Sequence, residues 1–125
     1  MSINIQIFEI MDKCIFCKIA DKEIPAGIVY EDNEIVVFND VNPQAPVHML
    51  VIPKKHIESL NVVDEYTDAG WILKIFEVIK KVVKEKKLEN NGYRVVINCG
   101  KDAGQAVGHV HFHILGGRKL SWPPG

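Results

Sequence analysis

Little in this chain favours a membrane, a nucleic acid or a disulfide framework. Its 15 Lys and Arg balance 16 Asp and Glu, leaving a net charge of −1 with no acidic or basic tail. That balance argues against a general nucleic-acid binder, which carries its own electrostatic footprint. No apolar run approaches the ~20 residues that a membrane-spanning helix needs. Residues 1–13 lack a cationic leader followed by an apolar stretch, so no secretory signal is expected. Cysteine is scarce, at three residues. So few argue against a stapled fold and imply reduced thiols in a cytoplasmic setting. Internal repeats, low-complexity segments and linkers are missing as well.

What remains is the composition of a globular protein: 125 residues, 47% hydrophobic, 25% charged, mean hydropathy +0.03. That length suits one domain with a core of its own. Ile3, Ile5 and Ile7 alternate with polar residues and suit a short edge strand. Met11 offers an alternative start, which makes residues 1–13 an N-terminal extension of uncertain order and 14–125 the domain. A helical turn is expected over 18–24, stopped by Pro25 and Gly27. The runs 28–31 and 35–38, separated by Asp32-Asn33-Glu34, read as a hairpin. A third strand spans 48–52. The spacing predicts one long helix over 64–88, ended by Asn91-Gly92. Trp71, Ile72, Ile75, Phe76, Ile79, Val82 and Val83 form its buried stripe. Its lysines, Lys80, Lys81, Lys84, Lys86 and Lys87, form a solvated face. Two further strands span 93–98 and 109–115. Five strands, one long helix, one short one and no strand–helix alternation make an α+β domain on an antiparallel sheet.

The five histidines carry the chemistry. In His109-Val110-His111-Phe112-His113-Ile114-Leu115 they alternate with apolar residues, so on a strand all three imidazoles share one face. Val110, Phe112 and Ile114 turn toward the long helix. A lone histidine is usually structural, but three in alternation fit that explanation poorly. Upstream, Gly100, Gly104 and Gly108 punctuate a loop whose backbone N–H groups can approach an anion closely. The loop is neither a Walker loop nor a dinucleotide fingerprint. Two chemistries stay open at this point: attack of a neutral imidazole on phosphorus, or metal binding by a His-x-His pair.

The segment 109–115 resembles the signature of the histidine-triad superfamily of nucleotide hydrolases and transferases. Further residues carry the resemblance: Lys22-Glu23-Ile24-Pro25, Pro43-Gln44-Ala45-Pro46, Leu50-Val51-Ile52-Pro53-Lys54-Lys55-His56, Gly104-Gln105, Gly116-Gly117-Arg118 and Trp122-Pro123-Pro124-Gly125. The tail is most similar to that of the Hint branch, the histidine-triad nucleotide-binding proteins. The resemblance implies a homodimer with a ten-stranded sheet. It also implies hydrolysis of purine nucleoside phosphoramidates, such as AMP linked to an amine, without a catalytic cofactor. His111 would be the nucleophile that forms a nucleotidyl-histidine, His113 would bond the phosphate, and His48 and His109 would complete the cluster. Gly104, Gln105 and the amide of Ala106 would cradle the phosphate, with Asn98 beside it. Asp40 would accept the ribose hydroxyls, because a carboxylate can take both. Val41, Leu50, Phe38, Ile15, Phe16, Ile19 and Ile24 would form the slot for the base.

Two positions depart from the pattern. Ala106 stands where Hint-branch proteins usually carry Ser, so a hydroxyl is lost while the backbone amide stays. Binding is expected to persist and turnover or leaving-group preference to change. Gly108 replaces a larger residue in the site's wall. The pair Cys14 and Cys17, a CxxC, has two readings: two reduced, partly buried thiols, or half of a structural zinc site. Family resemblance implies His56 and His109 as the other two ligands. Cys99 reads as an ordinary small residue. Two functional alternatives complete the expectations: a catalytic metal on His109, His111 and His113, and a nucleotide-binding scaffold with vestigial chemistry.

Overall fold

In a computed structural model of the chain, residues 13–125 are described. The expected strand at Ile3–Ile7 and all but the last residue of the expected extension lie outside them. The elements are α1 (Ile15–Ala20), β1 (Ile28–Glu31), β2 (Ile35–Asn39), β3 (Val47–Pro53), α2 (Ala69–Glu85), β4 (Tyr93–Ile97) and β5 (Phe112–Gly116), with a 3-10 turn at Leu60–Val62. All strand pairs are antiparallel, in the order β1-β2-β3-β5-β4. Among the described residues the expected α+β architecture is therefore present: five antiparallel strands, one long helix and one short one.

Alternation on the central strands assigns the two faces. Ile35, Val37, Met49, Val51, Phe112 and Ile114 pack on α2, in a core with Ile75, Val78, Ile79, Val82 and Val83. Val36, Phe38, Leu50 and Ile52 face the other way and meet Phe16, Ile19 and Ala20 of α1. Covered on both faces, β2 and β3 read as continuous apolar runs. The β1–β2 turn is closed by Asp32, whose Oδ1 accepts the N–H groups of Glu34 and Ile35 at 2.7 and 2.8 Å.

Helix boundaries shift from expectation for local reasons. α1 begins earlier, at Ile15, because the Cys14 Sγ accepts the Cys17 N–H at 3.2 Å as a cap. It ends at Ala20 with Lys22 in the left-handed region (φ 60°). The Glu23 N–H then bonds the Lys18 carbonyl and the Lys22 N–H that of Ile19, a Schellman closure. α2 begins at Ala69 instead of Asp64, since the Asp64 side chain bonds the N–H groups of Tyr66 and Thr67 and competes with the helix. It stops at Glu85, before Asn91-Gly92, through a second Schellman closure at Lys87 (φ 58°), with Leu88 N–H on the Val83 carbonyl. Along α2 the stripe is also corrected. Val78 belongs to it, Ile72 is half-buried, and Phe76 is exposed.

The α2 N-terminus is tied to the segment after β3. Asp68 is buried; its carboxylate accepts the Lys55 ammonium, the Trp71 indole N–H and the Asp64 N–H at 2.7–2.8 Å. Those charge-assisted bonds hold its carboxyl well below the usual range, at about 2. This brace fixes the segment that carries His56. No described helix is long and apolar enough to cross a membrane.

Candidate functional site

His113 lies on the sheet face opposite α2, and His109 and His111 turn to the same side, where both meet Phe16 of α1. Only His113 is inside β5, however; the strand begins at Phe112 instead of His109. The ladder ends where Val51 pairs with Phe112. The Val110 N–H instead bonds the Ile57 carbonyl at 2.6 Å, so 109–111 run beside the segment after Pro53 and outside the sheet.

That break divides the imidazoles between two centres. Buried His109 turns Nδ1 toward Cys14 and Cys17, with Sγ at 3.3 and 3.5 Å. Its Nε2 lies 2.8 Å from the Pro53 carbonyl, so Nε2 carries the proton and Nδ1 the lone pair. His56 Nδ1 lies 3.5 and 3.3 Å from the same two sulfurs. These four donors all lie within 4.8 Å of one another. A tetrahedral zinc with ordinary Zn–S and Zn–N bonds separates S from N by about 3.5 Å. The residues fit such an ion, and the His109–Pro53 bond supplies the outer partner that metal-bound histidines have. Burial and the neighbouring Cys14 thiol push Cys17 up to about 12, so without a cation it stays a neutral thiol.

The second centre is His48 and His113. The Gln44 N–H donates to His48 Nδ1 at 3.0 Å, which leaves the proton on Nε2. That Nε2–H donates to His113 Nδ1 at 2.9 Å. His113 therefore keeps its proton on Nε2 and offers it outward. Asp40 is the nearby counter-charge, with Oδ2 at 3.4 Å from His48 Nε2. His111 lies between the centres. Its Nδ1–H donates to the His109 carbonyl at 2.7 Å, so Nε2 holds the free lone pair. The Phe16 ring packs edge-on against it at 5.1 Å. One metal shared by His109, His111 and His113 does not match this arrangement, because the rings turn to different partners.

Burial, helped by the neighbouring His111 and His48, lowers His113 to about 4; His48 is lowered too, by burial against the opposing pull of Asp40. The pair is neutral at pH 7. An unfolded His113 takes up a proton near pH 6.5, whereas the folded one resists until about 4. Stability is therefore expected to fall as pH drops from 6.5 to 4. Urea midpoints across that window, with a shallower slope in His113→Asn, check this.

The glycine loop has its own internal order. Gly100 and Gly104 adopt φ of 86° and 81°, which favour glycine. The Gln105 side chain accepts the Gly100 N–H and donates to the Glu58 and Val107 carbonyls. Its backbone N–H bonds the Gly100 carbonyl. Gln105 thus braces the loop from within. Among the described residues the Ala106 N–H has no protein acceptor. Gln105→Ala is expected to lower stability by about 1–2 kcal/mol in chemical denaturation, because three polar groups lose their partner.

Of the residues assigned to the base slot, Phe16, Ile19, Phe38 and Leu50 form one cluster, with Ile24 packed against it. Ile15 (51% exposed) and Val41 (100%) stand outside that cluster. Across the His48–His113 pair, Asn98 and Gln44 line a cleft of about 670 Å³ with Arg94 and Trp122. The last two were not anticipated as site residues. The carbonyls of Pro53 and His109 were also missed, and main-chain atoms leave no sequence signal.

Comparison with known proteins agrees with this geometry. The family model described as "Scavenger mRNA decapping enzyme C-term binding" matches residues 13–121. A HIT-like protein of Buchnera aphidicola is 43% identical over 110 residues, covering 87% of this chain and 95% of its own. A HIT family hydrolase from Legionella pneumophila is 48% identical, with a TM-score of 0.88 over 90% of this chain and all of that one. A histidine triad nucleotide-binding protein from Candida albicans is 38% identical, with a TM-score of 0.76 over 89% and 83%. The chain belongs to the histidine-triad family.

Proposed function

We propose that this protein is a nucleotide-binding hydrolase that cleaves purine nucleoside phosphoramidates through a nucleotidyl-His111 intermediate. One observation carries the reading: the His109 carbonyl takes the Nδ1–H of His111 and leaves Nε2 free to attack. His111 Nε2 forms a bond to phosphorus while the P–N bond to the amine breaks. The departing amine takes its proton from water, because the neutral His48–His113 pair has none to spare at pH 7. Water then attacks phosphorus, the bond to His111 breaks, and the nucleotide leaves. The outward Nε2–H of His113 and the Ala106 N–H are suited to phosphate oxygens. Asp40 suits the ribose and the Phe16–Phe38 cluster the base.

Relatives called HIT family hydrolases and a nucleotide-binding protein support the same reading. Zinc on Cys14, Cys17, His56 and His109 belongs to the proposal as a structural ion; bound there, it cross-links α1 to the segments on either side. A homodimer is proposed as well. Tyr93 and Val95 lie exposed on the edge strand β4, and Leu73 and Phe76 on α2, apolar surface that a second copy would cover. The three free thiols suit a reducing, cytoplasmic compartment.

The test is intact mass after mixing with an adenosine phosphoramidate and an acid-free quench. A gain of one adenylyl group with amine release is expected. Amine release without any trapped adduct in rapid-quench samples would favour direct hydrolysis instead. Binding of AMP with neither would favour the scaffold reading, which the missing hydroxyl at Ala106 motivates.

A further inference from the structure

The stretch from His109 to His111 has no place in the sheet, since β5 joins the ladder only at Phe112. No cross-strand bond therefore holds the His109 carbonyl, although that carbonyl decides which nitrogen of His111 carries the lone pair. Two backbone bonds restrain it: His109 N–H to Val107 O at 2.9 Å and Val110 N–H to Ile57 O at 2.6 Å. The remaining anchors act through the His109 ring. Its Nε2–H reaches the Pro53 carbonyl, and its Nδ1 reaches the two sulfurs. A second route runs through α1. Phe16 lies between Cys14 and Cys17 in the chain, and its ring packs edge-on against both His109 and His111 at 6.0 and 5.1 Å.

We propose that His109 is a positioning residue: metal ligation through its Nδ1 fixes the carbonyl that sets the tautomer and orientation of His111. Neutral thiols are weak hydrogen-bond partners for an imidazole nitrogen. A divalent cation such as Zn²⁺ holds two sulfurs and two nitrogens at set distances. The Cys14–Cys17–His56–His109 centre then acts on the reactive nitrogen without touching substrate. Binding energies are reciprocal, so a nucleotide seated on His111 must also alter the metal centre. The consequence for turnover rests on the covalent reading of His111, whereas the geometric coupling does not.

The experiment compares the zinc-loaded chain, the chelator-stripped chain and His56→Ala, which removes an exposed ligand partnered by Cys14, Cys17 and His109. Long-range ¹H–¹⁵N imidazole spectra should show one Nδ1-protonated tautomer for His111 in the loaded protein and an averaged pattern in the other two. The kcat for an adenosine phosphoramidate should fall about 10–100-fold in both, the range for losing an outer support of an active site, with KM little changed. Adding back zinc should restore the stripped chain. An unchanged tautomer in folded stripped protein would overturn the proposal, as would the absence of stoichiometric zinc. If stripping unfolds the chain, the cobalt-loaded protein decides: AMP should shift its visible absorption bands, but not in His111→Ala. No shift in the parent overturns the coupling. Loss of all turnover in the loaded parent would count against the covalent reading alone, since the spectra still report on His111.

Discussion

Steady-state cleavage of an adenosine phosphoramidate is expected to fall by at least ~10⁴-fold in His111→Ala, because loss of a covalent nucleophile leaves only positioning and electrostatics to accelerate the reaction. The geometry makes the expectation specific to His111. His109 spends both ring nitrogens on the Pro53 carbonyl and the cysteine sulfurs, and His113 Nδ1 accepts the hydrogen bond of His48 Nε2–H. Neither offers a free lone pair toward the sheet face that carries Phe16 and Phe38. AMP affinity should change far less, since the Ala106 amide, Asp40 and the apolar cluster all remain. Equal initial rates for parent and variant would remove His111 from the mechanism. A small loss, similar to that in His113→Ala, would point to a role in phosphate binding.

The largest stability effect is expected at Ile114. Its side chain is fully buried on β5, facing the α2 side, between Met49 of β3 and Val95 of β4. Ile114→Ala removes three carbons from the closely packed contact between sheet and helix. The cost should be about 2–5 kcal/mol, combining lost burial with the residual cavity. Against a typical total of roughly 5–15 kcal/mol, that is a large fraction. Urea unfolding at fixed protein concentration measures it. A loss well below ~1 kcal/mol would mean that α2 settles onto the gap. The neighbouring His113 makes the position informative twice, because a shifted β5 would also disturb the hydrogen bond to His48.

Much of this molecule follows from patterns that repeat along the chain. The hairpin of β1 and β2 was legible in its two apolar runs and the intervening Asp32. Both strand faces of β5 were legible in the alternation of histidine with Phe112 and Ile114, since side chains on a strand alternate whatever they meet. The long helix was legible in its period, but its ends were not. Asp64 closes its own turn, and Lys87 takes a left-handed conformation usually given to glycine. Those outcomes depend on bonds that a residue type permits without requiring.

The geometry of the histidine grouping was decided by tertiary structure. Residue pattern alone shows a single row of three, and family resemblance implied the Cys14–Cys17–His56–His109 set that the fold brings together. In the fold, α1 carries Cys14 and Cys17 to His109, while the register of β3 on β5 places His48 beside His113. His111 remains between two centres, and its reactive nitrogen is selected by a main-chain carbonyl. Residue order determined which side chains share a face, because that is local stereochemistry. Which of them share a partner depended on segments up to 95 residues apart, and packing alone brings those together.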